Sequence, residues 1–338
     1  MDEPSIHPPL PRFVQIEPVG QCNLRCRMCP VQFRADGQAG PPAFMAEDTF
    51  RALLDQFPAL AELHLQGLGE PLMHPRFFDM VSLAAARGIR VSTNTNMTVM
   101  TDEQAQRCVH SGLDTLHVSI DSADPRAYAW VRVGARLPLV LRNLRRVLAA
   151  RCATGGGQPR IVLIAVLMRS TLDGLPALAR LAAELGVDSL AVQQLCHDFS
   201  EDTLPERYLP MRAFIDAELL GNADRAHAEA VFDETRATAA ALGLELRLPR
   251  LAPRPHAPQV PGPARCDWPW RGAYISYDGK AMPCCMVATP DRISMGDMAR
   301  QGVAAVWAGE RYAEFRARLS SPEPPQVCAG CAIYRGTF

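Results

Sequence analysis

Between Phe13 and about Leu195, short apolar runs rich in β-branched residues alternate with longer segments whose apolar positions recur at helical spacing. Six runs read as strands: Phe13 to Ile16, Leu63 to Gln66, Ile89 to Thr93, Thr115 to Ile120, Ile161 to Met168 and Leu190 to Gln194. Between them, Ala46 to Phe57, Pro75 to Arg87, Thr101 to Ser111, Leu137 to Arg151 and Asp173 to Leu185 read as helices. Gly88, Gly112 and Gly186 stand just past three of these, where a left-handed residue most easily ends a helix. Thr101, with Glu103 and Gln104 following, has the pattern of an N-cap and an acidic first turn. This alternation predicts an α/β fold with parallel strands and right-handed crossovers, in an open sheet or a barrel. Ligands in such folds sit at the carboxyl ends of the strands.

Residues His197 to Leu248 read as helical, with an alanine-rich stretch from Arg225 to Leu242. Six prolines between Pro249 and Pro263 break regular structure and mark a linker or wrapping segment. From Arg265 onward the chain is cysteine-rich and carries a hairpin pattern, Ala273 to Tyr277 and Lys280 to Met282 around an Asp278, Gly279 turn. The expected divisions are an N-terminal extension (1–12), a core (13–196), a helical region with linker (197–263) and a small α+β unit (264–338).

Composition narrows the classes. The 338 residues include 35 basic and 36 acidic ones, a formal charge of -1, so no global field favours nucleic acid or an anionic membrane. Arginine supplies all of the basic residues except Lys280. The longest apolar run, Ile161 to Met168, falls far short of the ~20 residues of a spanning helix. Met1 to Pro11 carries acids and four prolines in place of a signal pattern. A soluble, cytoplasmic protein with no membrane or nucleic-acid partner is expected. Eleven cysteines then stand out, because a reducing cytosol disfavours a disulfide framework.

Cys22, Cys26 and Cys29 form C-x3-C-x2-C in the loop after the first strand. Three thiolates this close can hold one metal centre but are one short of a closed tetrahedral zinc site. An iron-sulfur cubane held by three cysteines leaves one iron open to another ligand. On this motif and its companions the chain resembles the radical S-adenosylmethionine (SAM) superfamily. The run Gln66 to Pro71 is similar to the family's Gly-Gly-Glu element, with Leu68 standing where the stricter form has glycine. Ser92 to Asn96 is similar to its Thr-Asn element, and Val118 to Asp121 with Tyr128 to Arg132 to its fourth-strand serine and following arginine.

The resemblance implies a partial (β/α)6 barrel, a 4Fe-4S cluster on the three cysteines, SAM on its open iron, and an electron donor such as flavodoxin or ferredoxin. It also implies SAM contacts at Gly67, Gly69, Glu70, Asn94, Asn96, Ser119 and Arg132. The glycines would let backbone approach the methionine amino group, and the arginine fork suits a carboxylate. Asp121 also reads as a cap for the segment after it.

Cys266, Cys284, Cys328 and Cys331 resemble the twitch, or abbreviated SPASM, extension of the same superfamily, in which four cysteines hold one auxiliary 4Fe-4S cluster. The extra cysteine run of a full SPASM domain is missing. Cys285 is an alternative ligand to Cys284, and a structural zinc site is chemically adequate for four thiolates. Cys108 and Cys152 read as packing residues. Cys196 follows the sixth strand, as a pocket wall or as a catalytic hydrogen-atom donor. The first reading is an oxidoreductase that cleaves SAM and abstracts hydrogen from a small polyhydroxylated substrate (a sugar, aminocyclitol or nucleoside type), with the auxiliary cluster accepting an electron. His197, Asp198 and Glu201 are candidate bases. The alternatives are epimerisation through Cys196, decarboxylation of a sugar acid, peptide modification, and a non-catalytic metal-binding module.

Overall fold

The computed structural model describes residues 5–34, 43–195, 199, 201–252 and 266–337. Strands β1 (Phe13–Ile16), β2 (Glu62–Leu65), β3 (Arg90–Thr95), β4 (Leu113–Ser119), β5 (Arg160–Leu167), β6 (Ser189–Gln194) and β7 (Glu245–Arg247) lie side by side in that order. All of these neighbours pair in parallel. The connecting helices are α1 (Glu47–Asp55), α2 (Phe77–Ala85), α3 (Asp102–His110), α4 (Pro125–Val131), α5 (Leu137–Ala153) and α6 (Leu175–Leu185). Two more, α7 (Leu209–Glu218) and α8 (Arg225–Ala241), follow β6, and α8 packs on α6. The expected partial barrel is present.

Local chemistry places the ends. Thr101 and Gln104 form a reciprocal capping box at the start of α3, a device worth about 1 kcal/mol. Gly186 ends α6 in the left-handed conformation, at φ 72°. Two elements go beyond the sequence expectation. Helix α4 starts at a proline with the Asp124 carboxylate accepting from the Arg126 and Ala127 N–H groups, at 3.0 and 2.7 Å. Strand β7 is three residues long and mostly exposed, too short and polar to register as a strand pattern.

The sheet has an apolar outer face and a polar inner one. Leu63, Leu65, Val91, Leu116, Val118 and Leu163 are buried among the helices. Their alternates on the other face include His64, Gln66, Ser92, Asn94, His117 and Ser119, all half-buried. At about 1.5–3 kcal/mol per buried aliphatic side chain, the outer face fixes the register. That register leaves the inner face free for chemistry.

The C-terminal hairpin, β8 (Gly272–Ile275) and β9 (Lys280–Met282), with β10 (Gly296–Asp297), continues this sheet. Strand β8 pairs in parallel with β1, from Phe13 opposite Gly272 to Ile16 opposite Ile275. The N-terminal segment also docks there. Trp270 Nε1 donates to the Ser5 carbonyl at 2.9 Å, and Trp307 Nε1 to the carbonyls of Pro8 and Pro9 at 3.1 and 3.0 Å. Arg316 donates to the Ile6 carbonyl while its guanidinium lies 4.2 Å from the Trp307 ring centre. Among the described residues no helix is long and apolar enough to cross a membrane.

Candidate active site

Cys22, Cys26 and Cys29 lie on the loop after β1, and that loop is pinned from two sides. Backbone N–H groups of Arg25 and Arg27 donate to the carbonyls of Val133 and Val131, each at 2.9 Å. Asn96 Nδ2 donates to Asn23 Oδ1 at 3.0 Å and approaches Cys22 Sγ at 3.7 Å. The amide oxygen Oδ1 of Asn96 accepts from the Thr98 N–H and hydroxyl, at 2.9 and 2.6 Å. A cavity of about 160 Å3 opens beside the loop. Its lining contains all three cysteines and every side chain expected to meet SAM: Gly67, Gly69, Glu70, Asn94, Asn96, Ser119 and Arg132.

The roles of several of these residues are more structural than the sequence suggests. Glu70 is buried, and its Oε1 accepts from the Thr95 hydroxyl at 2.7 Å and the Leu72 N–H at 3.1 Å, its Oε2 from the Asn96 N–H at 2.8 Å. Burial raises its pKa, and these three donors oppose the rise. Glu70 therefore ties the turn after β2 to the end of β3.

A Cβ on Gly69 would lie 1.9 Å from the Val19 carbonyl oxygen, and one on Gly67 would strike Glu17. The two glycines are needed for protein to meet protein at this turn. Leu68, the departure from the family pattern, donates its N–H to Glu17 Oε1 at 2.9 Å.

Asp121 caps nothing. Its Oδ2 takes Arg132 Nε at 2.6 Å, its Oδ1 takes Arg132 Nη2 at 3.1 Å and the Val166 N–H at 2.9 Å. The guanidinium fork expected to meet a methionine carboxylate is thus committed to Asp121, leaving Nη1 without a carboxylate. Arg132 also lowers the pKa of Cys26 by charge and by a hydrogen bond, against a larger rise from burial. Burial likewise raises Cys22, with Glu70 adding to it, and pushes Cys29 up to about 12.

Glu17 was not singled out by the sequence. It is fully buried, and both of its oxygens accept from Arg34 Nη1, at 2.9 and 3.0 Å. Its Oε2 also accepts from the Tyr277 N–H at 3.4 Å. One carboxylate so joins β1, the chain after the cysteine loop, the Leu68 turn and the C-terminal hairpin. Thr95, Asn23 and Tyr274 were equally missed, since each acts through neighbours far away in sequence.

The second cysteine group forms around β8 and β9. Cys284 feels the charges of Cys285, Cys331 and Cys266, after a larger effect of burial that pushes it well above the ordinary thiol value. Burial pushes Cys266 up to about 12. Cys328 is buried on the short helix Gln326–Ala329, and its carbonyl accepts from the Cys331 N–H at 3.2 Å. Cys285 belongs to the same group, so both alternatives for that ligand position are at hand. Leu68 connects the two places: it lines the catalytic cavity and packs against the buried cluster of Trp268, Tyr274, Met282 and Ala288, as Cys266, Cys284 and Cys285 also do.

Elsewhere, Cys108 is buried as expected but Cys152 is exposed and packs nothing away. Glu201 is buried in an ion pair with Arg292, which itself lies 4.2 Å from the Phe199 ring centre, so it is not a free base. Cys196, His197 and Asp198 lie outside the described residues. Both cysteine groups are soft, all-sulfur donor sets in desolvated surroundings, which suits iron-sulfur clusters over hard cations.

Comparison with known proteins agrees with this geometry. The radical SAM superfamily matches residues 16–182, and an iron-sulfur cluster-binding domain, SPASM, matches residues 266–332. The chain is 28% identical to the tungsten-containing aldehyde ferredoxin oxidoreductase cofactor-modifying protein of Pyrococcus furiosus, over 95% of this chain and 87% of that one. It is 23% identical to a PqqA peptide cyclase of Gluconobacter oxydans, over 95% and 83%. Its fold is similar to that of Streptococcus suis SuiB bound to precursor peptide SuiA, with TM-score 0.68 and 15% identity over 96% of this chain and 70% of that one. The chain belongs to the radical SAM superfamily, as an oxidoreductase-type enzyme with a SPASM-type auxiliary domain that binds SAM and iron-sulfur clusters.

Proposed function

We propose that this enzyme abstracts a hydrogen atom from a peptide substrate and completes a two-electron oxidation through its auxiliary site. In this reading Cys22, Cys26 and Cys29 hold the catalytic cluster, while Cys266, Cys284, Cys328 and Cys331 hold the auxiliary one. When bound, SAM and the clusters supply reductive cleavage of the sulfonium and an acceptor for the substrate's second electron. The chain's own residues supply position. Glu70, Thr95 and Asn96 fix the turn against which SAM rests, and Arg132, held by Asp121, keeps a cation beside the Cys26 sulfur. Leu68, on the cavity wall, and Tyr274, in the buried cluster that the auxiliary cysteines pack against, join the two sites by apolar packing.

The observation that carries the oxidation is this connection: Leu68 lines the catalytic cavity and packs against the same buried cluster, Trp268, Tyr274, Met282 and Ala288, as Cys266, Cys284 and Cys285. The substrate class rests on likeness. A PqqA peptide cyclase and the peptide-bound SuiB both match across nearly the whole of this chain. A peptide is therefore preferred over the free sugar or aminocyclitol that the twitch-like cysteine spacing suggests. A second reading, action on a small cofactor, has support from the cofactor-modifying relative of Pyrococcus furiosus.

The test is anaerobic turnover with a deuterated peptide encoded beside the gene, scored for label in 5′-deoxyadenosine and for a product two hydrogens lighter. Label transfer with a product that has lost only the deuterium and gained a hydrogen in its place, one mass unit lighter, would point to epimerisation, and no label transfer from any such peptide would return the choice to small molecules.

A further inference from the structure

The reductive step needs an electron from outside the chain, and the cysteine loop comes to the surface at Asn23, Arg25 and Arg27. Arg27 stands between Cys26 and Cys29 and is exposed. Its Nε donates to the Trp130 carbonyl at 2.8 Å, and its guanidinium lies 4.9 Å from the Trp130 ring centre. Trp130 and Val133 are large apolar side chains left 41% and 39% exposed. The loop's backbone is hydrogen-bonded to this segment at Val131 and Val133.

The surroundings are basic. Arg126 is exposed one turn before Trp130 on α4, and Arg136 is exposed immediately before α5. Neither they nor Arg27 form an ion pair among the described residues. The nearby acid, Asp124, spends its carboxylate on the N–H groups that open α4. An exposed tryptophan with Arg27 over its ring, Phe214 6.0 Å from it on the helix Leu209–Glu218, and unpaired Arg126 and Arg136 nearby in sequence has the composition of an interface centre.

We propose that this face, Arg27, Arg126, Trp130, Val133 and Arg136, docks the electron donor, a small acidic carrier protein such as flavodoxin. This rests on the radical SAM activity proposed above. Three features support it: uncompensated positive charge for an acidic partner, an apolar anchor at the centre, and backbone contact with the loop that carries the catalytic cysteines. A donor seated on Trp130 would lie against the segment whose backbone is hydrogen-bonded to the cysteine loop. With the cluster and SAM bound, the donor's electron would pass by way of the cluster to supply the reductive cleavage of the sulfonium, giving methionine and a 5′-deoxyadenosyl radical.

The experiment compares two reductants on the holoenzyme. Formation of 5′-deoxyadenosine is measured with pre-reduced flavodoxin and, separately, with dithionite. In an R126E/R136E variant the flavodoxin-driven rate at low salt falls about tenfold or more, while the dithionite-driven rate stays within about twofold. Added salt lowers the flavodoxin-driven rate of the unaltered enzyme, and an R318E control on the C-terminal helix Glu310–Leu319 behaves like the unaltered enzyme. Equal flavodoxin-driven rates in variant and parent would overturn the proposal. So would salt-independent flavodoxin-driven turnover, which also decides the case if the variant loses both rates through misfolding. Absence of dithionite-driven cleavage in the parent, with clusters intact, would instead sink the underlying activity.

Discussion

Asp121 and Arg132 form a two-pronged buried ion pair, 2.6 Å from Nε to Oδ2 and 3.1 Å from Nη2 to Oδ1, at the wall of the SAM cavity. Removing the carboxylate leaves a desolvated guanidinium unpaired beside Cys26. We predict that Asp121→Asn lowers stability by about 3–5 kcal/mol and also weakens SAM binding. Urea unfolding and SAM titration read the two effects separately. Undiminished stability would mean that Arg132 is solvated in solution.

Gly69→Ala has a steeper consequence than its size suggests. The new Cβ must displace the Val19 backbone, which leads directly into the cysteine loop. Iron content after reconstitution should fall by about half, toward the about four irons of one remaining cubane. Cys108→Ala, a buried change elsewhere, serves as the comparison.

Thr95→Val removes a donor from the buried Glu70 carboxylate while keeping shape. A hydrogen bond to a charged group is worth about 1.5–3 kcal/mol, and Thr95→Ser should restore most of it. Thermal unfolding of the holo-protein checks the pair.

At the auxiliary site, Cys284→Ala should halve the iron content, whereas Cys285→Ala should leave about eight irons per chain. The reverse outcome would exchange their roles. Four thiolates bound to zinc would show as zinc in place of the second cubane by elemental analysis.

His64 and His117 face each other inside the barrel with ring centres 5.9 Å apart. Burial, followed by the charge of His117, pushes His64 down to about 3, and burial lowers His117 too. The unfolded chain takes up these protons near 6.5 while the folded chain refuses them. Their contribution is full above about pH 6.5 and is lost as pH falls toward about 3. The Tm drop between about pH 7 and about pH 5 should therefore shrink in His64→Gln, with cluster absorbance followed in parallel.

The alternation of strands and helices from Phe13 to Leu195 was legible because each apolar run has the length and period of its element. The cysteines and their companion residues were legible as types, and the fold gathers them around one cavity. What stayed hidden is partnership across sequence distance. Nothing near Arg132 marks Asp121 as its mate, and nothing near Glu17 announces Arg34, Leu68 and Tyr277. Gly67 and Gly69 were noticed for space, but only the fold shows that Glu17 and Val19 fill it. Strand β7 was hidden for a different reason, since three exposed residues held by backbone pairing leave no pattern.

The parallel pairing of β8 with β1 also sets an order of assembly. On the ribosome, Phe13 to Ile16 emerge more than 250 residues before their neighbour at Gly272 to Ile275, so one side of β1 waits as a naked edge while the barrel closes on the other. Unpaired strand edges are sites of misassembly. A nascent chain stopped before Cys266 already has its first three cysteines but keeps that edge open, which makes the C-terminal hairpin an intramolecular chaperone for the core as well as a home for its second set of thiols.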